Sequence, residues 1–287
     1  MEQYSSFTGP EGSQKDIGSA KIVVLPVPYD KTSTWIKGAD KGPFAILEAS
    51  PQLEMYDIET DTEPCDQGIY THPPMVLSDV PEDMVREVEM KVKELLDADK
   101  FVVTLGGEHS VSVGPIRAHS FRYNDFCVLN LDAHTDLRDE YEGSRYNHAC
   151  TMARAQEVAP IVHAGIRSVS REEKDKVDMD KVFLARDIAS SSTWIQDIIN
   201  RLSDNVYVTI DLDAFDPAYM PSTGTPQPGG FNWYQVTALL KKVTENRNVV
   251  GFDVVELCPN ETNKAPDILA AKLIYKFLGY IGAKKLK

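Results

Sequence analysis

Apolar residues recur along the chain in short unbroken runs, set apart by longer amphipathic stretches. KIVVLPVPYD (21–30) is the first run, closed by Pro26 and Pro28. FVVTLGG (101–107), FCVLNLDAH (126–134), PIVHAGIR (160–167), KVFLAR (181–186), NVYVTIDLD (205–213) and VVGFDVVEL (249–257) follow it. Continuous rather than alternating apolar character predicts strands buried on both faces, as in a parallel sheet covered by helices. Between the runs the spacing turns helical. Met84, Val88, Val92 and Leu95 predict a helix over 82–99, and others are expected over 171–178, 192–203, 232–245 and 266–280. A short helix over 43–50 would carry Pro43 in its first turn. The rest of 31–81 reads as loop, and the polar, Gly/Ser-rich residues 1–20 as a loose arm. No composition break, repeat or low-complexity segment divides the chain, so one α/β domain spanning 1–287 is expected.

Composition narrows the partners more than the fold. The chain has 44 Asp and Glu against 30 Lys and Arg, a formal charge of -14. Such a surface repels phosphate backbones and attracts cations, which argues against nucleic acid and mildly for a cationic small molecule. Four scattered cysteines without a Cys-x-x-Cys pair suit reduced thiols rather than a disulfide framework. The polar N-terminal stretch lacks the apolar core of a signal peptide, and no run reaches the length of a membrane span. A cytoplasmic protein with no membrane partner is expected.

The chemistry sits at the predicted strand ends, where open parallel sheets gather ligands. LGGEH ends one run at His109, NLDAHTD ends another with Asp132, His134 and Asp136, TIDLDAFD supplies Asp211, Asp213 and Asp216, and VVEL closes on Glu256. If the chain stays extended, Asp132, His134 and Asp136 share a face, as do Asp211 and Asp213. Carboxylates gathered in a dry sheet end repel one another unless a cation holds them. A pair of divalent ions resolves the repulsion, and mixed oxygen and nitrogen donors suit Mn²⁺ or a neighbour in the series. A lone Asp-x-Asp is commonly a cap or a turn. Two clusters plus a third histidine are not explained that way. Gly106 and Gly107 read as a tight turn beside the ions, and GGEHSVSVG has neither phosphate-loop spacing. Ser110 and Ser112 lack the surroundings of a serine nucleophile.

Two metals sharing a water generate a nucleophile at neutral pH, which makes a hydrolase. Residue chemistry leaves amidine, amide and phosphoester substrates open, although a phosphoesterase should want cationic groups that these acidic stretches lack. His148 is either a proton shuttle or a solvated loop histidine. Glu256 is either a clamp for a planar guanidinium or a cap or ion-pair partner.

Three stretches, LGGEHSVSVGPIRA (105–118), VLNLDAHTD (128–136) and TIDLDAFDPAYMPSTGTPQPGG (209–230), resemble the signatures of the ureohydrolase family of arginases and agmatinases. The similarity runs from about residue 20 to the C-terminus. It implies a three-layer α/β/α fold around an eight-stranded parallel sheet, and two Mn²⁺ ions bridged by hydroxide. Carried over residue by residue, one ion takes His109, Asp132, Asp136 and Asp211, and the other Asp132, His134, Asp211 and Asp213, with Asp132 and Asp211 bridging. The hydroxide would attack a guanidinium carbon and release urea and an amine. His148 matches the proton-shuttling histidine and Glu256 the acid that orients the guanidinium. Homotrimers or homohexamers are implied as well.

The loop LRDEYEGSRYNHAC (137–150) departs from arginase. Arg138 stands where an arginase places an Asn that reads the amino-acid head group, the loop is one residue shorter, and Ala149 replaces a Gly. The loop is closer to agmatinases, which implies agmatine as substrate and putrescine as product. Asp139, Glu140 and Glu142 suit a free amine, whereas Arg138 and Arg145 suit the carboxylate of guanidinobutyrate or guanidinopropionate. Arginine itself is the least favoured substrate.

Overall fold

The computed structural model describes residues 4–285. Its centre is an eight-stranded, all-parallel sheet: β1 (Ile22–Val27), β2 (Ile69–Thr71), β3 (Phe101–Gly106), β4 (Phe126–Leu131), β5 (Ile161–Ile166), β6 (Val182–Leu184), β7 (Asn205–Asp211) and β8 (Asn248–Val255). The spatial order is β2-β1-β3-β8-β7-β4-β5-β6. Every apolar run predicted as a strand is one. The short β2 lies in the stretch read as loop, because three residues carry too little pattern to stand out.

Helices cover both faces. Alternate residues of β1 go to opposite sides: Ile22 and Val24 join the core with helix α2 (Gly42–Ala49) and the C-terminal α9 (Ala265–Lys285), while Val23, Leu25 and Val27 pack with Met84, Val85 and Val88 of α3 (Pro81–Asp97). Each such aliphatic side chain contributes roughly 1.5–3 kcal/mol when fully buried. The helices α4 (Val113–Arg122), α5 (Thr151–Ala155), α6 (Ala185–Ser190), α7 (Trp194–Ile199) and α8 (Trp233–Asn246) complete the layers. Helix α8 starts at a capping box, with the Gln235 N–H donating to the Asn232 side chain and the Asn232 N–H to that of Gln235.

Two expectations fail. The helix over 171–178 is a series of turns, since Glu173 folds inward to accept from the Ser170 N–H and from the loop after β4. The arm is also not loose over residues 4–20; residues 1–3 lie outside the described residues. Phe7 is fully buried, its N–H donates to Thr71 Oγ1, and α1 (Gly9–Gly12) leads to Ser13, which pairs with Ile69 along the edge strand β2. An exposed parallel edge is thereby covered. Among the described residues no helix is long and apolar enough to cross a membrane, and the four cysteines are free thiols.

The order matters for the site. β7 and β8 return to the middle of the sheet between β3 and β4, so the carboxyl ends of β3, β8, β7 and β4 stand side by side. The register pairs Leu131 with Ile210 and Asp211 with Val255, which puts Asp132 and Asp211 on one level at adjacent strand ends.

Candidate metal centre

His109 arrives first. After β3 the chain needs Gly107, because a Cβ there would collide with the Tyr29 carbonyl beyond β1. The next two backbone N–H groups are each tied. The Glu108 N–H donates to the Tyr29 carbonyl, and the His109 N–H donates to Glu256 Oε1 at 2.6 Å. The His109 ring is buried, and its Nε2 lies 3.0 Å from Thr209 Oγ1 on β7. That hydroxyl gives its proton to the Asp253 carboxylate at 2.6 Å, so Nε2–H is the donor to Thr209 and Nδ1 is left as the acceptor. Nδ1 has no hydrogen-bond partner, yet it faces three carboxylates: Asp136 at 3.0 Å, Asp132 at 3.3 Å and Asp211 at 3.4 Å.

The loop after β4 brings Asp132, His134 and Asp136. They do not share a face through strand pleating as the spacing suggested. β4 ends at Leu131, and Asp136 has a left-handed backbone, φ +50°. The loop curls so that all three side chains still reach the site. Asp132 is held by the His134 N–H on Oδ1 and the Asn130 amide on Oδ2. Glu173 ties down the loop between, accepting from Thr135 Oγ1 and the Leu137 N–H. Asp211 caps a short 3-10 turn by accepting from the Asp213 N–H, and Asp213 accepts in turn from the Ala133 N–H. His134 Nδ1 lies 3.0 Å from Asp213 and 3.7 Å from Asp132.

Two ligand groups result, His109–Asp132–Asp211 and Asp132–His134–Asp213, and Asp132 belongs to both. Asp136 joins the first through its approach to His109. Electrostatics show what the cluster lacks. Burial and the neighbouring Asp132 push Asp136 up to about 7, and burial with Asp213 and Asp132 pushes Asp211 well above the carboxylate range. Burial opposes charge on His134, yet Asp213 and Asp132 drive it up to about 11. The protein alone must therefore draw in protons to balance the acids. A bare imidazole nitrogen aimed at three carboxylates fits a divalent cation, whose charge does the same task without them.

Above these groups opens a cavity of about 250 Å³ whose walls include His148, Glu256, Tyr141 and Arg138. Burial lowers His148 to about 4. It keeps Glu256 well above its ordinary range, with Glu108 adding to the effect. Glu256 also takes a left-handed backbone, φ +66°, a conformation that costs energy in a non-glycine residue and is usually retained for a site.

The arginase family model matches residues 20–279. The chain belongs to the arginase family. Its relatives within that family include the N(1)-aminopropylagmatine ureohydrolase of Synechocystis, 40% identical over 93% of this chain and 91% of that protein. The Thermus thermophilus protein of the same name is 39% identical over 92% and 91%. The solved agmatine ureohydrolase of Thermoplasma volcanium superimposes with a TM-score of 0.89 at 32% identity, covering 100% of this chain and 97% of that one. The fold expected from the resemblance is the fold found.

Several residues that build this family site were not visible in the sequence. Thr209, Asp253 and Glu173 orient the candidate ligands from far along the chain, and Asn130 does so from two residues away. Arg167 is the most extreme case. Its guanidinium donates to the carbonyls of Gly165, Asp213, Ala214, Phe215 and Gln227, lashing the loop after β7 to the one that follows. A lone arginine at the end of an apolar run gives no sign of this, because all its partners are backbone.

Proposed function

We propose that the protein hydrolyses the guanidinium group of an agmatine-type amine at a binuclear manganese site, releasing urea. The observation that carries the reading is the sharing of Asp132 by two ligand groups at the floor of a cavity that also holds His148 and Glu256. His109, Asp132, Asp136 and Asp211 would hold one ion, and Asp132, His134, Asp211 and Asp213 the other. When bound, the ions supply an activated water and stabilise the charge that develops as it adds to the guanidinium carbon. Glu256 orients the planar guanidinium through parallel hydrogen bonds. His148 moves a proton toward the departing amine as its bond to carbon breaks.

The loop 137–150 supports a substrate without a carboxylate. Arg138 pairs with Glu172 at 2.5 Å and lies 4.3 Å over the Tyr141 ring. Arg145 lies 3.4 Å from Glu157 and 3.6 Å from Asp139. Both arginines that would suit an acid substrate are already engaged. Asp139 is engaged too, by Arg154 at 2.8 Å, so it contributes less to amine recognition than its position in sequence suggests.

Agmatine would give putrescine. A second reading, N(1)-aminopropylagmatine, would give a triamine, and it is favoured by the name that the relatives at 39 and 40% identity bear, against 32% for the agmatine ureohydrolase. We take the extended amine as the better substrate of the two. A urea-release panel of N(1)-aminopropylagmatine, agmatine, arginine, guanidinobutyrate and guanidinopropionate with Mn²⁺-loaded protein tests this. The expected result is activity on the first two, abolished by EDTA and restored by Mn²⁺, with kcat/KM about tenfold or more in favour of the longer amine, the range that a few well-placed contacts supply. Release of urea from none of these compounds would sink the proposal.

A further inference from the structure

Glu108 is the one acid of the LGGEH run that faces away from the metal ligands. It is fully buried, and four donors converge on its carboxylate. Thr32 Oγ1 donates to Oε1 at 2.7 Å and Ser110 Oγ to the same oxygen at 2.6 Å. The Thr32 N–H donates to Oε2 at 2.8 Å and Ser33 Oγ at 3.3 Å. Burial raises this acid above its ordinary range, and the converging donors offset that only in part.

The same Thr32 hydroxyl also meets His148, which lines the cavity. Thr32 Oγ1 accepts from the His148 N–H at 2.9 Å and lies 3.4 Å from His148 Nδ1. A hydroxyl has one proton, and that of Thr32 is given to Glu108. The contact with Nδ1 therefore runs the other way, with Nδ1–H donating to Thr32 Oγ1. This leaves Nε2 as the unprotonated nitrogen of the neutral ring. His109 is fixed by the same device, through Thr209 and Asp253, with the opposite nitrogen left bare.

We propose that Glu108 is a positioning residue for His148 that acts through Thr32, fixing the imidazole as its Nδ1–H tautomer with Nε2 as the proton-accepting atom. Imidazole tautomers differ little in intrinsic energy, so the partner of one nitrogen decides the state of the other. The inference rests on the proposed shuttle role of His148 for its catalytic consequence, but the tautomer itself does not.

The test uses the full chain labelled with ¹⁵N-histidine and loaded with diamagnetic Mg²⁺. The chain has six histidines, and His148→Asn identifies the signal in question by its loss. The expected wild-type signal is Nδ1-protonated. Thr32→Val should convert it to a mixture of tautomers, and Glu108→Gln, which sets an amide NH₂ among the donors, should do the same. Thr32→Ser should restore the Nδ1–H form. In Mn²⁺-loaded protein Thr32→Val should lower kcat about 10- to 100-fold, no more than the smallest contribution of a positioned acid or base, with KM nearly unchanged and metal content intact. Thr32→Ser should recover most of that loss. An Nε2-protonated wild-type ring, or an unaltered tautomer in Thr32→Val, would overturn the proposal. If His148→Asn turned over as fast as wild type, the shuttle reading would fail while the tautomer result still stood or fell on the spectra.

Discussion

The floor of the cavity and its rim are built on opposite plans. On the floor, the side chains of Asp132, Asp211 and Asp213 are nearly inaccessible and each carboxylate is held by at least one backbone N–H. At the rim, residues 138–146 are exposed or half-buried and their charges pair side chain to side chain, as in Arg138–Glu172 and Arg145–Glu157. Backbone donors in the tight turns that follow β4 and β7 hold a carboxylate with little freedom to lose. Exposed ion pairs are screened and contribute about 0–1 kcal/mol each. The floor is therefore the part specialised for chemistry, and the rim is the part that can change substrate without disturbing it.

Breaking the floor should give the largest effect. Asp211→Asn is expected to reduce turnover by about 10³-fold or more, since it removes a ligand and with it the stabilisation of transition-state charge. Steady-state urea release alongside metal analysis reads both losses, and normal metal content with normal rate would remove Asp211 from the ligand set. His148→Asn lies one step higher in the cavity. It should leave the metals in place and slow turnover about 100-fold, a common contribution of a positioned acid or base.

Arg167 sharpens the comparison from below. Replacing it with Met leaves five carbonyls without their donor, and a loss of roughly 2–4 kcal/mol in stability is expected, seen as a lower Tm and a weaker grip on metal through the displaced Asp213 loop. An unchanged Tm would mean that water satisfies those carbonyls equally well. Arg138→Ala should have the smallest effect. It is expected to leave metal content and Tm nearly unaltered and to shift KM within about threefold, in line with an exposed pair. A large loss of activity confined to guanidino acids would instead restore Arg138 as a carboxylate reader.

The same division decides what the sequence reveals. The strands were legible because burial on both faces leaves continuous apolar runs, and the candidate ligands because acids and histidines at the ends of such runs have few structural uses. Asp136 reaches the site for a reason the spacing did not contain. Its left-handed backbone turns the loop, where an extended chain had been assumed. Most residues that orient the candidate ligands were invisible, since their partners lie far off in sequence; Asn130, two residues before Asp132, is the exception. Thr209 meets His109 across 100 positions, and Glu173 meets Thr135 across 38. The turns at 171–178 kept a helical pattern and gave up the helix because Glu173 is used elsewhere. At the rim, Arg138 and Asp139 looked like substrate readers, and only their partners reveal that both are engaged.

In the proposed site one carboxylate, Asp132, serves two metal ions. Metal-free protein titrated with Mn²⁺ and analysed for bound metal after gel filtration tests it most directly. Two ions per chain are expected for the wild type, and Asp132→Asn should weaken both sites together rather than one. A single ion per chain in the wild type, or an Asp132→Asn variant that still holds two, would contradict the account.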